Sequence, residues 1–339
     1  MRSVRRKNTE TDGGERLRPR SRGKRVSALT AAVALLLALL LSTAFDGEAR
    51  AFMLAALEPG STALTNNTIT PTPDPRVFIR LADVDSDVST DIIIRLANAA
   101  PKTLDLKSGE PTVLIYHTHD SEAYRQTEDS TYTPTGNCRT DDIERNVYAV
   151  GEELKRILED EYGIIAVHAP EKHEKPVLTE AYSRSLETML YYKEKYPTIT
   201  MFIDLHRDGV EDTGYENDFV TVDGLECARM MFVVGTGESG KSSQYAPAPT
   251  GEGPLADAER AMPDFESNYA LASALTETLL SYNGRFMRNI RVKSGKYNQQ
   301  VSSQCLLVEV GHNGNTLAQA KNSMIYLARA IAEINKRQA

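Results

Sequence analysis

The chain has 339 residues, a net charge of −8, ordinary apolar (41%) and charged (25%) fractions, and no tryptophan. That length suits one large domain or two smaller ones, and the composition suggests neither a collagen-like nor a disulfide-scaffold class. Residues 1–25 hold ten Lys/Arg and three acids, which leaves 29 basic and 44 acidic residues in 26–339, a net of −15 that argues against nucleic acid as a partner.

From Val26 to Phe45 there is no charged residue, and the centre reads AAVALLLALLL. That is about the 20 residues a helix needs to cross a bilayer. The basic segment 1–25 precedes it, so the positive-inside rule leaves the N-terminus in the cytoplasm and sends the rest outside. The small residues Ser42, Thr43 and Ala44 also allow a cleaved signal peptide. Either way the body is extracytoplasmic, and a retained single-pass anchor is the preferred reading. Residues 46–77, rich in Thr, Pro, Ala and Asn, read as a tether. Residues 78–110, with the apolar run DIIIRLANAA, are expected to form a small N-terminal subdomain, followed by a catalytic domain over 111–339.

From Thr112 the pattern becomes regular. PTVLIYHTH reads as a strand, 143–160 as a helix ending at Gly163, GIIAVHA as a strand and 178–195 as a helix. TITMFIDLH is a strand, FVTVDG and ARMMFVVG are two more, and 264–281 is helical. SQCLLVEVG is a strand, and TLAQAKNSMIYLARAIAEINK is a C-terminal helix. Strands alternating with helices predict an α/β fold, a mainly parallel sheet with helices on both faces. Functional residues of such sheets gather at the carboxyl ends of strands. Cys138, Cys227 and Cys305 are scattered and odd in number, so they read as core residues and not as a disulfide framework.

Three predicted strands end in chemistry-bearing residues: YHTHDSE with His117, His119 and Glu122; IDLHRDG with Asp204, His206 and Asp208; and LVEVGHNGN with Glu309 and His312. The turn after His119 can return Glu122 beside it, and His206 adds a second imidazole. Two His and one Glu make a catalytic zinc set with a fourth position open to water. Zinc polarises a scissile carbonyl and acidifies that water. A carboxylate must then move the proton, and Glu309 is the candidate. On an extended strand His117 and His119 face the same way, so either could be the ligand. We favour His119, with His117 as a supporting donor or substrate contact. His168 and His173 read as surface histidines, and His312 could touch substrate. Gly235–Ser242 matches G-x-x-x-x-G-K-[ST] letter for letter. Pro247, Pro249 and several glycines forbid the helix a phosphate loop needs, so no nucleotide is expected.

VLIYHTHDSEAY, YSRSLET, FIDLHRDG, MMFVVGT, SNYALASAL and KYNQQVSSQCLLVEVGHNGNTLAQA together resemble the stage II sporulation protein P family of endospore-forming bacteria, over roughly residues 112–335. The resemblance implies a phosphorylase/hydrolase-like zinc amidase fold. It also implies N-acetylmuramoyl-L-alanine amidase activity on peptidoglycan, with endopeptidase activity on cross-links, at the septum during engulfment. Stage II sporulation proteins D and M are the implied partners. His206 and Glu309 carry over by motif. In the amidases the Glu ligand lies near the start of the first helix, where this chain reads IERNVY, so Glu144 rivals Glu122. Arg184 and Arg207 fall in family-like segments and could meet a substrate carboxylate. The alternatives are a non-catalytic wall-binding scaffold and a zinc metallopeptidase acting on other peptides.

Overall fold

The first described segment runs from Phe78 into helix α1 (Thr90–Ala97), whose N-cap Ser89 accepts from the Ile92 N–H. A computed structural model describes residues 78–336 except 101, 108, 211–217 and 247. The basic segment 1–25, the apolar run 26–45 and the tether 46–77 lie outside the described residues. Ile92 and Leu96 of α1 are buried in the same cluster as Phe78, Leu104, Leu106 and the main sheet. The stretch 78–110 thus shares the core of the larger unit.

Strand β1 (Val113–Tyr116) is apolar and wholly buried. Helix α2 (Val147–Tyr162) starts where the Asn146 side chain accepts from Tyr148 N–H. It stops at Gly163, which takes the left-handed conformation (φ 65°) that glycine tolerates best. Strand β2 (Ala166–His168), helix α3 (Ala181–Lys195) and strand β3 (Met201–Asp208) follow. Strands β4 (Phe219–Val222) and β5 (Leu225–Ala228) form a hairpin through Asp223-Gly224, both at positive φ (50° and 82°), as a two-residue turn of this kind demands. Strand β6 (Met230–Gly235), helices α4 (Pro254–Arg260) and α5 (Phe265–Tyr282), strand β7 (Arg291–Lys293), strand β8 (Cys305–His312) and helix α6 (Leu317–Lys336) complete the order.

The sheet runs β2-β1-β3-β8-β6-β7. The first four strands are parallel, β6 runs antiparallel to β8, and β7 is parallel to β6. The mainly parallel α/β expectation therefore holds, with a reversed pair at one edge. The sequence reading missed β5, whose LECA is half exposed, and kept only its last residue, Ala228, at the start of β6. It missed β7, which at three residues has no readable period.

Alternation along the strands assigns the two faces. Val113, Ile115, Ile203, Leu205, Val308 and Val310 join the large core shared with α2, α5 and α6. Leu114, Tyr116, Phe202 and Cys305 pack beneath α3 with Leu186 and Met189. The same alternation puts Asp204, His206, Leu307 and Glu309 on the α3 side, and this positions the site.

Candidate active site

Because β1, β3 and β8 are parallel neighbours, their carboxyl ends fall at one edge of the sheet. His206 and Glu309 are register partners on adjacent strands. Strand β1 ends at Tyr116, and a turn follows. Asp204 pins it: its Oδ1 accepts from Thr118 N–H at 2.8 Å and its Oδ2 from Thr118 Oγ1 at 2.6 Å. The turn brings the His119 ring 5.3 Å from the His206 ring, nearly perpendicular to it. Glu122 N–H then donates back to His119 O at 3.4 Å, as the H-x-x-E spacing suggested. The Glu122 carboxylate, 6% exposed, accepts from the Arg207 backbone N–H at 3.1 Å. The Tyr182 ring stands edge-on to His119 at 5.8 Å and walls the α3 side.

Charges in this dry corner are strongly perturbed. Burial alone would raise Glu122, but His206 and Arg207 outweigh it and hold the carboxyl well below its usual range. Burial would lower His206, yet Asp204 and Glu122 raise it well above its ordinary value. Glu309 goes the other way: burial pushes it up to about 8 against the pull of His206, with Asp208 and Glu122 adding to the rise. Its Oε2 is buried without a hydrogen-bond partner.

Two imidazoles and a carboxylate are suitable zinc donors. Glu122 Oε2 lies 3.5 Å from His206 Nδ1, long for a hydrogen bond. Two ligands each about 2.1 Å from a tetrahedral zinc are about 3.4 Å apart. The residues thus fit zinc in kind and in this pair distance. Among the described residues, no three His, Cys, Asp or Glu side chains are already drawn around one metal-sized point.

The other expected residues separate clearly. His117 does not share the side of His119. His117 keeps the side of Ile115 and faces α2, where its Nδ1 donates to Leu205 O and its Nε2 shares a 2.8 Å hydrogen bond with His168 Nε2, while the turn that follows carries His119 to the other side. Burial lowers both His117 and His168 to about 3, so neither is the surface histidine that composition suggested for His168. A Cβ on Gly151 of α2 would come within 2.8 Å of Nε2 of both rings. Gly151→Ala is therefore expected to lower stability by about 1–3 kcal/mol, read from urea denaturation. His173 is also buried: its Nδ1 donates to His117 O, and its Nε2 meets Thr188 Oγ1.

Arg184 and Arg207 are occupied by the protein itself. Arg184 donates from Nε to His173 O and from Nη2 to Val177 O. Arg207 donates from Nε to Ala123 O at 2.9 Å and from Nη2 to Cys138 O at 2.7 Å. Asp208 is paired with Arg288 at 2.7 Å. His312 is buried, accepts at Nδ1 from Gly314 N–H, and lies 3.9 Å from Asp218. Glu144 stands exposed before α2, while the neighbouring Asn146 is buried as the cap and donates to Asp120 O and Thr140 O. Of the two rival glutamates, Glu122 is the one beside His206. The three cysteines are free, with Cys227 and Cys305 buried.

The phosphate-loop look-alike is spent on packing. The six N–H groups from Thr236 to Lys241 all donate within the protein. The next helix begins only at Pro254. Four site residues were not expected from sequence: Tyr182, Glu174, Ser121 and Arg139. Glu174 comes to 3.2 Å from His119 Nδ1, and it accepts from Ser121 and Arg139. Glu174 lies in the polar loop after β2, where neither period nor spacing marks it.

Comparison with known proteins places these observations. The family model of Stage II sporulation protein P matches residues 66–332. The Stage II sporulation protein P of Bacillus subtilis (strain 168) is 26% identical over 243 residues, covering 66% of this chain and 50% of that protein. The chain thus spans about half the length of the curated relative it matches. Among solved structures, the N-acetylmuramoyl-L-alanine amidase from Clostridium difficile 630 aligns with a TM-score of 0.34 at 13% identity, over 68% of this chain and 97% of that one. The CwlD amidase from Clostridioides difficile, solved in complex with the GerS lipoprotein, aligns with a TM-score of 0.37 at 14% identity, over 67% and 97%. With the family model covering most of its length and the strand-end motifs in place, the chain belongs to the stage II sporulation protein P family.

Proposed function

We propose that this chain is a zinc-dependent N-acetylmuramoyl-L-alanine amidase of the cell wall. It cuts the amide between N-acetylmuramic acid and the L-alanine of the stem peptide, with peptide cross-links as a second target. The observation that carries this reading is the meeting of His119, Glu122, His206 and Glu309 at one sheet edge. His119, Glu122 and His206 would hold the ion, which supplies Lewis acidity toward the scissile carbonyl and the attacking water.

The chain's own residues supply the rest. Glu309, opposite His206 on the next strand and with a buried oxygen that has no hydrogen-bond partner, takes a proton from the attacking water and delivers it to the leaving amine. Arg207 and Asp204 hold Glu122 and the His119 turn in place. The Tyr182 ring excludes water from one side of His119. We assign the chain to engulfment during sporulation. It would be anchored through residues 26–45 with its catalytic domain outside the cytoplasm, and it would work with stage II sporulation proteins D and M.

The test is incubation of the full chain with peptidoglycan sacculi, with and without chelator, and mass spectrometry of the released fragments. Stem peptides with a free N-terminal L-alanine, lost on chelation and restored by zinc, are the expected result. Intact sacculi with zinc bound would shift the reading to another peptide substrate. No zinc and no release would leave a non-catalytic wall-binding role.

A further inference from the structure

Each site histidine has a carboxylate behind it, Asp204 buried and Glu174 nearly so. Glu174 Oε1 lies 3.2 Å from His119 Nδ1, and Asp204 Oδ1 lies 2.8 Å from His206 Nε2. Both ring nitrogens are buried, and neither completes an aligned hydrogen bond as the rings stand. The opposite edge of His206 points inward, with Nδ1 facing Glu122. A carboxylate behind each imidazole is the arrangement that fixes the tautomer and the ring orientation of a metal-binding histidine.

The local structure invested in Glu174 supports a specific role. Asp120 Oδ2 accepts from the backbone N–H groups of both His173 (2.6 Å) and Glu174 (3.0 Å). His173 ties the same loop to His117 O, and Arg184 ties it from the other side. The carboxylate itself is held by Ser121 and Arg139. A surface ion pair with Arg139 would need none of this anchoring. The Glu174 side chain is 10% exposed and is aimed at one ring.

We propose that Glu174 and Asp204 are positioning residues for the two histidines. Glu174 accepts the Nδ1 proton of His119 and Asp204 accepts the Nε2 proton of His206, so His119 Nε2 and His206 Nδ1 are the nitrogens left for the site. This rests on the zinc reading for its purpose, but the tautomer of His119 does not depend on it.

The test uses the full chain with 15N-labelled histidine and two variants, Glu174→Ala and Glu174→Gln. Asp204 is left alone because it also holds the Thr118 turn. Long-range 1H–15N correlation of the metal-free protein reads which nitrogen of His119 carries the proton. Competition with a chromophoric chelator reads zinc affinity, and thermal unfolding checks that the variants fold. His119 is expected as the Nδ1–H tautomer in the parent and in Glu174→Gln, which keeps an acceptor, and as a mixture in Glu174→Ala. Zinc affinity is expected to fall roughly 10–100-fold in Glu174→Ala and less in Glu174→Gln. An unchanged tautomer in folded Glu174→Ala overturns the proposal. So does complete loss of zinc in that variant, which is what removing a ligand does. If the parent binds no zinc, the zinc reading falls, and the tautomer comparison still decides the role of Glu174.

Discussion

Glu309→Gln is expected to leave the fold and zinc binding intact and to slow peptidoglycan cleavage by roughly 10²–10⁴-fold, the usual weight of general acid–base catalysis. The amide of Gln has nearly the shape of the carboxyl but cannot take and return a proton. Glu309 sits opposite His206 on the next strand, with one oxygen lacking a hydrogen-bond partner, so no structural bond is lost. Removing a carboxyl that burial pushes up to about 8 should not destabilise the domain. Fragment release from sacculi and bound zinc should be measured on the same preparation. Loss of cleavage with zinc retained supports the proton-carrying role. Cleavage at the parent rate would remove Glu309 from the chemistry. Loss of zinc together with activity would make it a ligand.

Replacing Arg207 with Ala should instead be a folding defect. Its guanidinium joins β3 to the carbonyls of Ala123 and Cys138, which bracket the loop that follows the site turn. It also offsets the buried charge of Glu122. Removing it strands two carbonyls and deprives a buried carboxylate of a compensating charge, at a cost of about 3–5 kcal/mol. For a domain of this size that is a fall in Tm of roughly 10 °C by calorimetry. Arg207→Lys should recover little, because a point charge cannot bridge both carbonyls. A raised KM with unchanged Tm would return Arg207 to the role of substrate contact.

Strand-end residues were legible because they stand next to strongly apolar runs. VLIY, MFIDL and CLLVEV are buried whatever lies around them, and in a parallel sheet their ends share an edge. Local spacing also carried the return of Glu122 to His119, since three residues close a single turn. The strand alternation that foretold His206 and Glu309 on one face failed for His117 and His119. There the strand stops at Tyr116, where Asp204 of a neighbouring strand captures Thr118. Arg207 and Arg184 looked like anion binders because composition cannot show which main-chain carbonyls lie within reach.

By itself, then, the sequence determined the α/β class, the three converging strand ends and the family, because these rest on hydrophobic period and on motifs contiguous in the chain. Only the tertiary structure decided that Glu122 and not Glu144 stands by His206, that His117 is turned to α2, and that Glu174 backs His119. Those outcomes depend on contacts between segments far apart in sequence. They are set by how loops between strands satisfy their buried polar groups, and no local pattern encodes that.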